Sequence, residues 1–266
     1  LVRSRGLGDV YKRQIYNLTI TGSISINAAN NLNVDGAFNL SSGSFSQNSK
    51  NLNVAGNFTL ANSTTYTKGG TLTLDGTGNL TDSNTTKQDL GAVIIDGTAA
   101  VRTLTTAVKM TTLTIGSDDT LSLAGNNFDF SAAAAVVNYG TFQLQGSETL
   151  TNVNNLDQDT GLVKYVGTSG PYNLKAFTGA DYYDLEIAGN ATFNGVASLD
   201  IDRHFTLTSG TFAQGGNTMN VAGNFSIANN AVFTKATGAQ DLTLDGTGNL
   251  TDSNTTKQDL GAVIID

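Results

Sequence analysis

The chain has no cysteine and no tryptophan, and a single proline and a single histidine among 266 residues. Without cysteine no disulfide framework can form, which suits a surface protein that neither needs disulfides nor risks mispairing them; the absence assigns no compartment by itself. Long apolar runs are also missing. The longest, Ala132–Val137, is far short of a membrane span and reads as a small-residue strand. Positive charge is scarce, with 14 Lys and Arg against 22 Asp and Glu. Four of the basic residues fall in the first fourteen positions, LVRSRGLGDVYKRQ, which share none of the Asn/Thr/Gly texture of the rest. Asp9–Gln14 back-translates as GAT GTG TAT AAG AGA CAG, resembling a transposase adaptor end. Residues 1–14 are therefore read as a non-native leader and set aside; the rival reading is a basic arm for an acidic partner. What remains carries ten basic and twenty-one acidic residues, a net charge of −11 with no basic stripe. That excludes the cationic footprint of nucleic-acid binding.

What is present is repetition. Leu72–Asp96, LTLDGTGNLTDSNTTKQDLGAVIID, recurs unchanged as Leu242–Asp266, displaced by 170 residues. Around it the likeness fades without stopping: YNLTITG at Tyr16–Gly22 matches YDLEIAG at Tyr183–Gly189, and LNVAGNF at Leu52–Phe58 matches MNVAGNF at Met219–Phe225, both 167 apart. A three-residue insertion near Ala228–Asp241 reconciles the two displacements. The expected organisation is one long unit over 15–182, irregular over about 128–182, then a truncated second unit over 183–266. Read this way, the chain is a fragment.

Inside the long repeat lies a shorter one, apolar–polar–apolar–polar–Gly, starting at Leu32, Leu52, Leu72, Val93 and Leu113 with steps of 20, 20, 21 and 20. Alternation over so few residues is the mark of a half-buried strand, and no segment shows sustained helical spacing. A unit of about 20 residues cannot bury an apolar face alone, but stacking coils on one another does so. The expected fold is all-β: a parallel β-solenoid of about 20 residues per coil, right-handed by the crossover preference. Some eleven coils at about 4.8 Å would give a rod of roughly 50–60 Å. The inward ladder is Leu32, Leu52, Leu72, Val93 and Leu113 beside Val34, Val54, Leu74, Ile95 and Ile115. Asn31, Asn33, Asn51, Asn53, Thr71, Thr73, Thr112 and Thr114 face out, where stacked amides can hydrogen-bond along the rod. Pro171 is expected at an edge or bend. An antiparallel sandwich array is the alternative, but its strands would not recur at one constant step.

The stretches YNLTITG, LNVDGAFNLSSGSF and LNVAGNFTL resemble the repeat modules of large bacterial surface and secreted proteins, the filamentous-haemagglutinin-like and autotransporter-type adhesins. The likeness runs from Ile15 onward. It implies a right-handed β-helix, an extracellular or cell-surface location, and partners among host or environmental glycans or proteins, besides the adjoining coils of a parent protein. It implies no cofactor, and no membrane insertion within this segment.

Candidates for chemistry are few. Asp200, Asp202, Arg203 and His204 could be an acid–base cluster. Asp200 and Asp202 nevertheless align with Asn33 and Asp35, and His204 with Ala37, which could not do the same work, so no catalytic residue is assigned. Asp75, Asn79, Asp82 and Asn84, repeated as Asp245, Asn249, Asp252 and Asn254, could hold Ca²⁺. They lack EF-hand order and the glycine-rich nonapeptide of calcium β-rolls, and the same residues suit tight turns, so no metal is assigned. Tyr139, Tyr165, Tyr172, Tyr182 and Tyr183 cluster in the irregular stretch and would make a ligand patch if exposed; the rival reading is a set of less regular connecting coils. The N-x-S/T triplets, such as Asn57-Phe58-Thr59 and Asn224-Phe225-Ser226, follow from composition, and DGTG lacks the lysine of a phosphate loop. The expected function is a non-catalytic structural and adhesive segment. The alternatives are a carbohydrate-active β-helix enzyme and an ice-binding solenoid with Thr71/Thr73 and Thr112/Thr114 outward.

Overall fold

A computed structural model describes residues 15–156, 160–177, 182–235 and 241–266. The expected leader lies outside the described residues. So do 236–240. Tyr66 and Lys68 keep the 167-residue displacement to Phe233 and Lys235, whereas Leu72 matches Leu242 at 170, which confines the insertion to 236–241.

Among the described residues there is no helix, and every strand ladder is parallel. The chain winds into a β-solenoid of about 11 turns. Each regular turn contributes short strands to three faces. One turn supplies Leu52–Val54 to the first face, Phe58–Leu60 to the second and Thr65–Thr67 to the third. Gly, Asn, Ser and Asp occupy the corners between them, the residues that turns favour. Strand length is three residues at most positions because corners come so often.

The expected inner ladder is present in register. Leu32 lies opposite Leu52, Leu52 opposite Leu72, Leu72 opposite Val93, and Val93 opposite Leu113. All but half-buried Leu32 are buried, as are Val34, Val54, Leu74, Ile95 and Ile115. Burying each such side chain contributes on the order of 1.5–3 kcal/mol.

The second and third faces add aromatic columns. Phe38 stacks on Phe58 with ring centroids 5.0 Å apart and planes 9° apart, and Phe45 stacks on Tyr66 at 6.1 Å. The second unit rebuilds both pairs with Phe205 on Phe225 at 5.1 Å and Phe212 on Phe233 at 5.7 Å. Offset aromatic contacts of this kind add about 0.5–1.5 kcal/mol beyond area burial.

The faces are not equally continuous. The second face runs the length of the described rod, while the first-face ladder from Leu32–Val34 stops at Val137–Asn138. The third face breaks into three separate sheets. One break falls in the stretch that departs from the sequence rhythm: Phe128–Ala135 pairs with Leu150–Asn155 through register shifts after Asp129 and after Ala134. In the second unit one long strand, Leu199–Leu207, turns the corner without interruption. Its start pairs with Met219–Val221 and its end with Phe225–Ile227. Pro171 sits between strands, just before Tyr172–Asn173.

Candidate functional site

The irregular stretch opens a groove on the third face. Beside the shifted register, Leu150, Val153, Leu174, Phe177 and Val196 line a concavity of about 530 Å³. Its polar wall is Glu148 and Lys175. Glu148 is buried, and both carboxylate oxygens are taken by backbone: Oε1 accepts N–H groups from Gly125 at 2.9 Å and Gln145 at 2.7 Å, and Oε2 accepts that of Gly146 at 2.7 Å. Lys175 Nζ donates to the Glu148 carbonyl at 2.6 Å and the Gly146 carbonyl at 3.3 Å. Burial lowers the Lys175 amine below the usual lysine range, and the nearby Glu148 charge partly opposes that. The pair fixes the loop 145–149 and forms a rigid polar floor.

The tyrosine patch is corrected here. Tyr165 and Tyr182 are fully buried in the core, so they cannot belong to an exposed patch. Their hydroxyls lie 3.1 Å apart, Tyr165 accepts the Lys175 N–H at 2.9 Å, and Tyr182 donates to the Lys175 carbonyl at 2.5 Å. They anchor the Lys175 backbone from inside. The reason is strand position: Tyr165 falls on an inward step of the second face and Tyr182, paired with Ile201, on an inward step of the first, a parity that counting tyrosines does not reveal. Tyr172 is half-buried beside Phe193, and Tyr183 carries the Arg203 guanidinium 4.7 Å from its ring centroid. Of these five tyrosines only Tyr139 is freely exposed.

Asp200, Asp202, Arg203 and His204 are spread along one strand. Arg203 grips Asp184 with two guanidinium nitrogens, one of them Nε at 2.8 Å. His204 Nδ1 accepts the backbone N–H of Asn224 at 2.9 Å, which fixes that nitrogen as the unprotonated one. This bond belongs to a corner ladder. Asn17 Oδ1 accepts from Ala37 at 2.7 Å, Asn57 Oδ1 from Asn79 at 2.8 Å, Asp184 Oδ1 from His204 at 3.1 Å, and Asn224 Oδ1 from Asn249 at 2.9 Å. Asp184 and His204 thus do work that asparagine does elsewhere. The amide contribution expected along the rod takes this form, side-chain oxygen to backbone N–H one coil away; Asn51 serves Thr71 in the same way at 3.1 Å.

Four of the calcium candidates, Asp82, Asn84, Asp252 and Asn254, are engaged in turns. Asp82 is buried; its Oδ1 accepts the N–H and side-chain amide of Asn84 at 2.9 and 2.8 Å, and its Oδ2 accepts the Gln88 N–H at 2.6 Å. Asp252 and Asn254 repeat the arrangement with Gln258. Asn79 and Asn249 join the corner ladder through their backbone N–H groups. Asp82 with Asn84 and Asp252 with Asn254 lock two turns, whereas Asp75 Oδ1 is buried without a hydrogen-bond partner; among the described residues no group of three or more His, Cys, Asp or Glu could hold a metal ion.

Sequence reasoning missed Arg102, which is wholly buried. Its Nη2 donates to the carbonyls of Val54 at 2.6 Å and Ala55 at 2.9 Å, and its Nη1 to that of Gly56. Burial lowers the guanidinium to about 10, leaving it charged at neutral pH, and the Asp75 carboxylate supports that charge without a direct ion pair. The available signal was parity: Arg102 stands two residues before inward Leu104, on the same face.

The fold and its ladders define a parallel β-solenoid repeat protein. No family model, curated protein or solved structure matches the chain, so its class rests on the architecture.

Proposed function

We infer that the chain is a non-catalytic structural and adhesive segment of a bacterial cell-surface or secreted repeat protein, with glycans or proteins as its ligands. The observation that carries this reading is the division of labour along the rod. An apolar column maintained coil after coil consumes the inward residues, and the polar groups that looked chemical are spent on structure: His204 bonds the next coil, and Asp82 and Asn84 lock a turn. A rod built so presents a long polar surface of net negative charge, which suits projection and display. The groove beside Lys175 and Phe177 interrupts that surface and offers a contoured place for a ligand. A carbohydrate-active enzyme would need free carboxylates facing such a groove, and the Glu148 carboxylate in its wall is tied to three backbone N–H groups.

Cell fractionation of the organism making the full-length gene product, with surface biotinylation of intact cells, tests the location; the expected product is extracellular or surface-labelled, and a cytosolic one sinks the reading. Beads coated with the chain are expected to bind a glycan or host-protein array, with binding lost in Val196→Asp, which places a charge in the groove. Hydrolysis or elimination of a polysaccharide by the purified chain would favour the enzyme instead.

A further inference from the structure

The groove beside Lys175 continues along the rod. A second concavity, of about 100 Å³, lies over the preceding coils and shares exposed Thr149 with it. Its floor follows the coil stacking: Asp89 pairs with Lys109, Lys109 with Asp129, and Asp129 with Thr151. Lys175 reaches back to the carbonyls of Gly146 and Glu148, in the coil that carries Thr149 and Thr151. Together the two concavities make one depression along the axis, with Lys87 towards one end and Lys175 towards the other.

Three lysines stand along this line on a chain whose charge is otherwise acidic. Lys87 Nζ donates to the Asp82 carbonyl at 2.6 Å, and Lys175 Nζ donates to carbonyls only. Lys109 Nζ lies 3.6 Å from Asp129 Oδ2, too far for a hydrogen bond. Among the described residues none of the three amines is closed by a carboxylate at hydrogen-bond distance, whereas Lys68, Lys164 and Arg203 each grip one directly. The two acids in the walls are occupied elsewhere. Glu148 is buried on three backbone N–H groups, and Asp129 accepts from the Asn152 amide at 3.2 Å. Between the amines, Thr149 and Thr151 present exposed hydroxyls, and Leu150 and Val196 present apolar surface.

We propose that this depression binds a linear uronate polysaccharide laid along the rod, with its carboxylates on Lys87, Lys109 and Lys175. The proposal rests on the reading of the chain as a display segment with a glycan ligand, and it names the class of that ligand. A strand spacing of about 4.8 Å puts Lys109 and Lys175 on the order of 15 Å apart along the axis, so only an extended ligand reaches both. A uronate chain supplies what the walls call for: a carboxylate on every ring, hydroxyls for Thr149 and Thr151, and apolar ring faces for Leu150 and Val196. An acidic peptide brings carboxylates without that density of hydroxyls. A nucleic-acid strand would need aromatic faces to stack on, and Phe128, the ring beside Lys109, is buried.

Titration calorimetry of the whole chain with a polygalacturonate oligosaccharide tests this. Binding is expected at roughly 0.01 M salt and is expected to weaken at roughly 0.15 M, where screening is stronger. The fully methyl-esterified oligosaccharide keeps rings and hydroxyls but loses the charge. It is expected to bind about tenfold or more weakly, as loss of charge-assisted bonds implies. Lys109→Gln breaks no hydrogen bond of the fold and should leave the melting temperature unchanged. It is expected to weaken the acid form about fivefold, as for one exposed ion pair, and to leave the esterified form unaffected. Lys164→Gln, whose amine is paired with Glu186 on the second face, is expected to change neither. Equal binding of the acid and esterified forms would leave a glycan-binding rod and overturn the charged groove. Polyglutamate or a DNA oligonucleotide bound as tightly would show a surface that takes any polyanion, which also overturns it. So would indifference to Lys109→Gln, or no binding of the oligosaccharide at all. The display reading falls with it only if the glycan and host-protein arrays are blank as well.

Discussion

Leu72–Asp96 and Leu242–Asp266 are one sequence in two surroundings, and the pair separates what local chemistry fixes from what neighbours fix. Their hydrogen-bonded turns coincide nearly atom for atom. Gln88 and Gln258 each donate a backbone N–H to the preceding aspartate at 2.6 Å, and Lys87 and Lys257 each reach that aspartate's carbonyl at 2.6 Å. Gly91 and Gly261 each donate to an aspartate Oδ1, at 2.9 and 3.0 Å. Burial does not coincide. Leu80 is 1% exposed and Leu250 48%; Ile95 is 1% and Ile265 81%. The turns depend on residues two to six positions apart and form wherever the sequence goes. Apolar burial depends on a coil that only the first block has above it. Stability in such a stack is a sum of unit and interface terms, and here residues 242–266 pair with a neighbouring coil on one side and Leu72–Asp96 on both.

The strongest way to break the comparison is truncation of matched leucines. Leu80→Ala is expected to cost about 2–5 kcal/mol, as for a buried leucine in a packed core, while Leu250→Ala is expected to cost under about 1 kcal/mol, as for a half-exposed site. Urea denaturation of both variants measures the gap; equal losses would mean the two blocks are equally packed.

Acid comes next. Burial alone would raise the Asp89 carboxyl, but the hydrogen bonds from Lys68 and the Gly91 N–H outweigh it and hold the group below the usual carboxylate range. The Lys235 hydrogen bond and the Gly261 N–H lower its twin Asp259. A carboxyl depressed in the folded state contributes stability above its unfolded value, about 3.9, and loses it as pH falls through the folded one. Melting temperatures followed from pH 6 down to about 2, a range set by that unfolded value, should therefore drop in acid. Asp89→Asn is expected to flatten the acid limb more than Asp259→Asn, because the Asp259 side chain is 72% exposed and screened against 22% for Asp89. A larger flattening in Asp259→Asn would contradict the difference in burial.

The smallest effect sharpens a neighbouring contrast. Tyr66 and Phe233 occupy equivalent places 167 residues apart, and the buried Tyr66 hydroxyl has no hydrogen-bond partner. Burial pushes its phenol far above the ordinary tyrosine range, so it stays neutral and unsatisfied. Tyr66→Phe is expected to leave stability unchanged or raise it by up to about 1 kcal/mol, since it removes the cost of a stranded hydroxyl. A loss on calorimetry would reveal a partner for the hydroxyl.

Much of the fold was legible before any coordinates. The 20-residue step and the alternation at Leu52, Leu72 and Leu113 identified the inward column, because side chains on a strand alternate strictly and a wrong parity would expose the whole set. The site was less legible. Tyr165 and Tyr182 looked like members of a surface cluster, yet their inward parity buries them. For His204 the repeat alignment with Ala37 already argued against an acid–base role, but its actual partner, Asn224 one coil away, was not legible. Both gaps have one source: the residues that decide these roles are adjacent across coils and distant in sequence.

By itself the sequence determined the strand parity, the turn-locking aspartates and the need to stack, since each depends on near neighbours and on a period too short to bury its own apolar face. Only the tertiary structure decided that the coil has three faces, that the third face breaks to open a groove beside Lys175, and that Arg102 lies buried over Gly78. Those outcomes depend on which coil lies above which and in what register, and hydrogen bonds and close packing between turns some 21 residues apart set that register.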